Sequence, residues 1–151
     1  MPKLLAFLAC EKVIIDQEQN PTLISVLQNV NVVLPPTDSK IPEDAVSPQT
    51  WTLFAIWDRE PADVGKRFRQ RFVVTRPDGE PLPIQGQLDF DVKDELSINY
   101  INIIGFPVGR AGTVSVKTWL ESLEGSTLSP SYVYPMTVRH LAEPPKRPVK
   151  P

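Results

Sequence analysis

The sequence predicts an all-β protein, an antiparallel β-sandwich of about eight strands with a proline-rich C-terminal tail. Three observations lead to this prediction. Apolar residues recur with a period of two or in short unbroken runs, as they do in strands. Turn-forming residues recur about every ten positions, and no segment shows the 3.6-residue period of an amphipathic helix. A closed barrel is the alternative, which Pro135 and a proline-rich connection disfavour because proline interrupts a continuous ladder.

The first two predicted strands form a hairpin. Residues 4–15 are apolar on both faces over 4–9, which suits a buried strand. A turn-forming cluster follows, and residues 22–33 then alternate, with Gln28 interrupting their apolar face. The two runs are therefore expected to pair as neighbours.

A proline-rich connection covers residues 34–48 and is expected either to cross between two sheets or to carry function. The next run, 49–58, places Trp51, Leu53 and Trp57 on one face and is the best candidate for a central core strand.

The remaining predicted strands alternate with turns. They cover 66–76, 84–92, 96–106, 113–121 and 131–141. Pro135 places the last of them at an edge or a bulge, since proline cannot donate to a ladder. We predict one domain over 1–141 and a proline-rich basic tail over 142–151.

Composition excludes several functional classes. The net charge of −2 provides no basic surface for nucleic acid. One Cys excludes a disulfide framework and a cysteine-based zinc site, and one His weakens any metal or catalytic-triad hypothesis. No apolar run approaches the ~20 residues of a membrane-spanning helix. We therefore expect no cofactor, no metal, no membrane and a cytoplasmic location.

The N-terminal segment has a weak likeness to a lipoprotein signal, because Lys3 precedes an apolar run that ends in Cys10. The run spans only 4–9, whereas a secretory core needs about 7–15 residues. We therefore interpret Cys10 as a buried or half-buried strand thiol and leave lipidation as the minor alternative.

One strand face is the predicted interaction surface. Strand 113–121 carries a tryptophan on an otherwise polar face, and an exposed tryptophan is a typical hot spot for binding. The predicted face consists of Ser115, Lys117, Trp119 and Glu121. The alternative is that a loop of the same chain covers the indole.

A second candidate is a stripe of arginines on strand 66–76. Its members are Arg67, Arg69 and Arg71. The stripe could bind phosphate, a polyanion or an acidic partner. The preferred interpretation is structural: a turn centred on Glu80 would place Arg71 opposite Asp89 and Arg69 opposite Asp91, and such pairs stabilise sheets.

Three further constellations have plain alternatives. The acidic residues Asp89, Asp91, Asp94 and Glu95 resemble half of a calcium site. The second acidic loop that such a site needs could come only from Asp58, Asp63 or the segment 38–44, and the preferred interpretation is that Asp89 and Asp91 pair with arginines. His140 is expected on the surface, without a nucleophile to activate. The tail contains a Pro-x-x-Pro arrangement at 145–148, which could dock into an aromatic groove but more often serves no such role.

Three segments carry a resemblance to known proteins: FLACEKVIIDQ, TLISVLQNV and FPVGRAGTVSVKTWLE. They resemble a family of small bacterial β-sandwich proteins of unknown function, over most of residues 4–140. The resemblance implies a soluble intracellular bacterial sandwich and assigns no functional residue.

We therefore expect a non-enzymatic module for protein interaction or assembly, with self-association or a protein partner. A carbohydrate- or anion-binding module is the alternative. An enzyme is a distant third, since no candidate groups show the spacing that catalysis needs.

Overall fold

The computed structural model describes residues 1–34 and 40–143. Within them the chain is all-β, as predicted, with one short 3₁₀ turn at Pro61–Asp63. The strands are β1 (Lys3–Ile15), β2 (Pro21–Val26), β3 (Asn29–Leu34), β4 (Val46–Asp58), β5 (Arg67–Thr75), β6 (Pro81–Asp91), β7 (Leu96–Pro107), β8 (Gly112–Ser122) and β9 (Tyr132–Ala142). The predicted tail lies outside the described residues from position 144 onward.

The strands form two sheets. The four-stranded sheet has the order β2-β1-β4-β7, and the five-stranded sheet has the order β3-β9-β8-β5-β6. Neighbouring strands are antiparallel except β3 and β9, which run parallel. The prediction of a wholly antiparallel arrangement is therefore wrong at this pair.

The segment predicted as one strand over 22–33 is two strands in different sheets. Ser25 has a φ of +53°, and the chain leaves the first sheet just after it. The Leu27 amide still donates to the Ala9 carbonyl of β1, whereas the Gln28 carbonyl accepts from the Thr137 amide of β9. Gln28, the polar interruption in the sequence pattern, thus marks the crossing between sheets.

Two apolar clusters fill the space between the sheets, because the inward faces of both sheets are apolar. The larger cluster draws on both sheets. From the four-stranded sheet come Ala9, Trp51, Leu53, Ile103 and Phe106, and from the five-stranded sheet come Phe72, Val74, Val114, Val116, Met136 and Val138. Trp51 and Trp57 are fully buried, as predicted for the central strand. Trp51 and Phe106 meet edge to face with ring centroids 5.4 Å apart.

Strand β4 begins three residues before the predicted start, at Val46, and it includes Pro48. The predicted connection over 34–48 is therefore shorter than expected, because Leu34 belongs to β3 and residues 46–48 belong to β4. A register shift between Ser47 and Thr50 accommodates the proline, since a bulge leaves a residue unpaired. Residues 35–39 of the predicted connection lie outside the described residues.

The β5–β6 hairpin has a different register from the predicted one. Thr75 faces Pro81, so the turn is centred on Asp78 and not on Glu80. Strand β6 then contains two extra residues before Gln85 faces Val73. The shift is even in number, so every side chain keeps its predicted face while its partner changes.

Pro135 does not lie in an edge strand, because β9 has β3 on one side and β8 on the other. The pairing with β3 begins only at Thr137, however, so Pro135 has a ladder neighbour on one side alone, where it faces Ser115. The local environment is that of an edge, which is why the missing N–H is tolerated.

Candidate functional site

The predicted interaction face lies on β8, the middle strand of the five-stranded sheet. Burial alternates along this strand, with Val114, Val116, Thr118 and Leu120 buried. Ser115, Lys117, Trp119 and Glu121 therefore share the outer face, as the sequence pattern predicts. Lys117 is exposed, and the other three are half-buried.

Trp119 is held by charged neighbours on its own sheet. The Lys117 ammonium lies 5.9 Å from the centroid of the indole ring, within cation–π range. On β5, Arg71 faces Trp119 directly, and its Nε donates a 2.8 Å hydrogen bond to Oε2 of Glu121. A lysine and an arginine–glutamate pair thus flank the indole and leave part of it uncovered.

A hollow of about 320 Å³ opens beside Trp119, over the β5–β6 hairpin. It is lined by Arg71, Phe72, Gln85, Gly86, Gln87 and Trp119. Gly86 faces Phe72 in the ladder, and a Cβ there would lie 2.8 Å from the Phe72 ring. The glycine therefore lets the ring lie against the backbone of β6.

The arginine stripe is ion-paired along its whole length. The Arg69 guanidinium donates two hydrogen bonds to Asp89, of 2.6 and 2.8 Å. The hydrogen bond from Arg69 holds the pKa of Asp89 below its ordinary value. Arg67 pairs with Asp91 at 3.1 Å.

The predicted partners in the stripe are therefore shifted by two residues. Asp89 faces Arg69 instead of Arg71, and Asp91 faces Arg67 instead of Arg69. Arg71 faces Gln87 on β6. It forms its ion pair with Glu121 on β8, the strand on the other side of β5. Each arginine has its own carboxylate, which supports the structural interpretation over an open anion site.

His140 differs from its prediction as a surface residue. It is half-buried, and its Nε2 lies 2.7 Å from the Val108 carbonyl oxygen.

Cys10 is fully buried, in line with the prediction of a buried strand thiol, and burial raises its pKa. Its sulfur donates to the Lys12 carbonyl at 3.6 Å.

The acidic residues proposed as half of a calcium site do not converge. Asp89 and Asp91 are engaged by arginines across the hairpin. Within residues 1–34 and 40–143, no group of three or more His, Cys, Asp or Glu side chains is arranged to hold a metal ion.

The outer face of the four-stranded sheet is also apolar and is not among the surfaces predicted from the sequence. Phe54 points to this side of β4 and is only 2% exposed, because Leu8 and Tyr100 flank it on the neighbouring strands. Tyr100 itself is 47% exposed and Ile104 is 81% exposed. The apolar runs on both faces of β1 and β4 were the signal for this surface.

Sequence patterns also could not indicate the ionic contact of Asp63. This carboxylate is buried at the 3₁₀ turn, where Oδ2 accepts from the Glu60 amide at 3.0 Å. Its Oδ1 accepts from the amino group of Met1 at 2.8 Å. The contact joins the start of β1 to the segment after β4.

A scan of the chain against models of known protein families finds no match, and a search of curated proteins finds none either. The resemblance to small bacterial proteins stays a prediction. In the part of the chain that the structure describes, no helix is long and apolar enough to cross a membrane.

Proposed function

We propose that the two sheets form a β-sandwich that acts as a non-enzymatic module for protein interaction or assembly. The observation that carries this proposal is the position of Trp119 at the centre of an outer sheet face, with Lys117 and the Arg71–Glu121 pair beside it. A partly uncovered indole ringed by charges is the arrangement that protein interfaces favour.

The other two tryptophans differ from Trp119 in their burial. Trp51 and Trp57 are fully buried and direct their indole N–H groups to the Gly105 carbonyl and the Gln70 side chain. Their positions are explained by packing. The position of Trp119 is not, because a half-buried indole on an outer face contributes little to the core.

The test compares the full chain with Trp119→Ala and with a matched control, Leu5→Ala, in which an apolar residue that is 58% exposed is removed from the other sheet. Each protein is immobilised, and bound proteins from a bacterial lysate are quantified. We expect a specific partner to be lost with Trp119→Ala and kept with Leu5→Ala. Equal capture by all three would contradict the proposal, provided that circular dichroism shows them folded.

A carbohydrate- or small-anion-binding module is the second candidate function, and the hollow beside Trp119 favours it. Gln85, Gln87 and Arg71 supply amide and guanidinium groups next to an indole, a combination that suits a sugar ring. Trp119 is the tryptophan that such a ligand would reach. A titration with glycans should then shift tryptophan emission in the wild type and not in Trp119→Ala, whereas no shift with any glycan or phosphorylated ligand would exclude this candidate.

A bacterial source and a cytoplasmic location belong to the same proposal. The bacterial source is supported by the sequence resemblance alone, and the cytoplasmic location by the resemblance together with the composition.

A further inference from the structure

Among the described strands, β7 is an edge of the four-stranded sheet and has β4 as its one partner. In an antiparallel ladder, alternate residues direct their N–H and C=O groups away from the partner strand. β7 is 12 residues long, so it presents an extended row of backbone donors and acceptors along one side of the molecule. Such a row is a template for another strand.

Over residues 96–104 this edge lacks the features that usually protect an edge strand. The backbone distortion of β7 lies near its end, where Gly105 has a φ of +99° and the register with β4 shifts. Lysine, proline, short length and bulges are the common devices. The sequence of β7 is LSINYINIIGFP, which contains no charged residue and has its proline only at the last position.

The other edge strands are protected. β6 contains Pro81 and Pro83 at one end and Asp89 and Asp91 at the other. β2 and β3 have only six residues each, and β2 is further distorted by Ser25 at positive φ. Among the described strands, β7 is thus the long, uncharged edge.

The side chains along this edge are also uncovered. Leu96 is 46% exposed, Tyr100 is 47% exposed and Ile104 is 81% exposed, all on the outer face. A strand added beside β7 would cover parts of these side chains while it satisfied the backbone groups.

We propose that β7 pairs with β7 of a second copy of this chain, antiparallel across a two-fold axis, to give one continuous eight-stranded sheet. A two-fold contact satisfies the unpaired rows of both copies at once. The absence of charge means that no like charges oppose each other when the strand meets itself. The antiparallel direction also separates Asp94 and Glu95, which precede β7, from the same residues of the second copy.

The contact is independent of the Trp119 face, which lies on the other sheet. It is tested by sedimentation equilibrium and light scattering of the full chain, which should show a discrete species of twice the 16.9 kDa chain mass. The decisive variant is Tyr100→Lys/Asn102→Lys. Both residues are exposed at the middle of the strand, so four lysines would meet at the two-fold axis.

The matched control is Asn31→Lys/Val33→Lys, which adds the same charges at the same spacing to β3, the edge of the other sheet. We expect the first variant to weaken dimerisation roughly tenfold or more and the control to leave it unchanged. Hydrogen exchange should show β7 amides that are protected in the dimer and exposed in the first variant. Circular dichroism and thermal unfolding confirm that both variants fold.

Several outcomes would overturn the proposal. A monomeric wild type excludes it, as does a dimer that Tyr100→Lys/Asn102→Lys leaves intact. A dimer lost equally with Leu5→Lys, which lies on the same sheet face but two strands away, would indicate face-to-face stacking instead. If Trp119→Ala abolished the dimer and Tyr100→Lys/Asn102→Lys did not, the chain would self-associate through the outer face of β8 that carries Trp119.

Discussion

The side-chain oxygen of Gln70 accepts a hydrogen bond from the indole N–H of Trp57 at 3.1 Å, across the space between the two sheets. The same oxygen accepts from Nδ2 of Asn99 at 2.8 Å, and Nε2 of Gln70 donates to Thr118 Oγ1 at 3.2 Å. Gln70 is only 1% exposed. One amide therefore joins polar groups of both sheets and supplies the acceptor for the buried N–H groups of Trp57 and Asn99.

Replacement of this amide should destabilise the fold strongly. Gln70→Leu preserves volume but leaves the N–H groups of Trp57 and Asn99 without an acceptor, so we expect the free energy of unfolding to fall by about 2–4 kcal/mol. Urea unfolding at pH 7 measures the change. The control Gln87→Leu alters an exposed glutamine on the neighbouring strand and should cost less than about 0.5 kcal/mol. Equal stabilities for the two variants would show that the buried network contributes nothing.

Gly105 is a glycine whose replacement should be costly. Its φ is +99°, its carbonyl accepts from the Trp51 indole at 2.8 Å, and a Cβ there would lie 2.6 Å from Cγ1 of Val46. We expect Gly105→Ala to lower the free energy of unfolding by about 1–3 kcal/mol, from backbone strain and the steric clash. Gly125→Ala is the control, because a Cβ there meets only Thr127 Oγ1 at 3.9 Å. Thermal denaturation that ranks the two variants equally would refute this account.

The Arg69–Asp89 pair should make stability depend on pH in the acidic range. The hydrogen bond from Arg69 is the main cause that holds the pKa of Asp89 below its ordinary value in the folded state. Its contribution is therefore fully present above the pKa of the unfolded chain and is lost as the pH falls below about 4 and through the folded pKa.

Unfolding by urea between pH 7 and pH 2 tests this dependence. We expect the stability of Asp89→Asn to fall less steeply below pH 4 than that of the wild type, and Arg69→Gln to show the same shallower curve. Parallel curves for all three proteins would mean that this exposed pair contributes no measurable stability, as happens for many surface pairs.

Cys10 should be unreactive while the chain is folded. It is 0% exposed, and burial raises its pKa, so the thiolate is both scarce and inaccessible. We expect a thiol reagent at pH 8 to modify the wild type only as fast as the chain unfolds, and to react at once in urea. Rapid modification under native conditions would show that the Cys10 thiol becomes accessible through local opening around β1, without global unfolding.

Much of the architecture could be predicted from residue patterns. Alternation with a period of two indicated which side chains of β5 and β8 point outward, and the structure preserves those faces even where the register differs. The same alternation correctly placed four residues of β8 on one face: Ser115, Lys117, Trp119 and Glu121. Prolines and glycines indicated most strand ends within a few residues, because they restrict the backbone locally.

Pairing partners could not be predicted in the same way, because they depend on contacts between residues far apart in the chain. The neighbourhood of Arg71, Glu121 and Trp119 requires β5 to lie beside β8, which no local pattern encodes. The two extra residues of β6 change which aspartate faces each arginine, and no local sequence pattern indicates them.

The sequence by itself thus determined the class of structure, the direction of most side chains and the core tryptophans of β4, since these follow from periodicity and hydrophobicity over a few residues. Only the tertiary structure decided that the chain changes sheets at Leu27–Gln28, that Gln70 is buried beneath Trp57, and that β7 is left as an uncharged edge. These features depend on which strands become neighbours, and that choice is made by burying both apolar faces together.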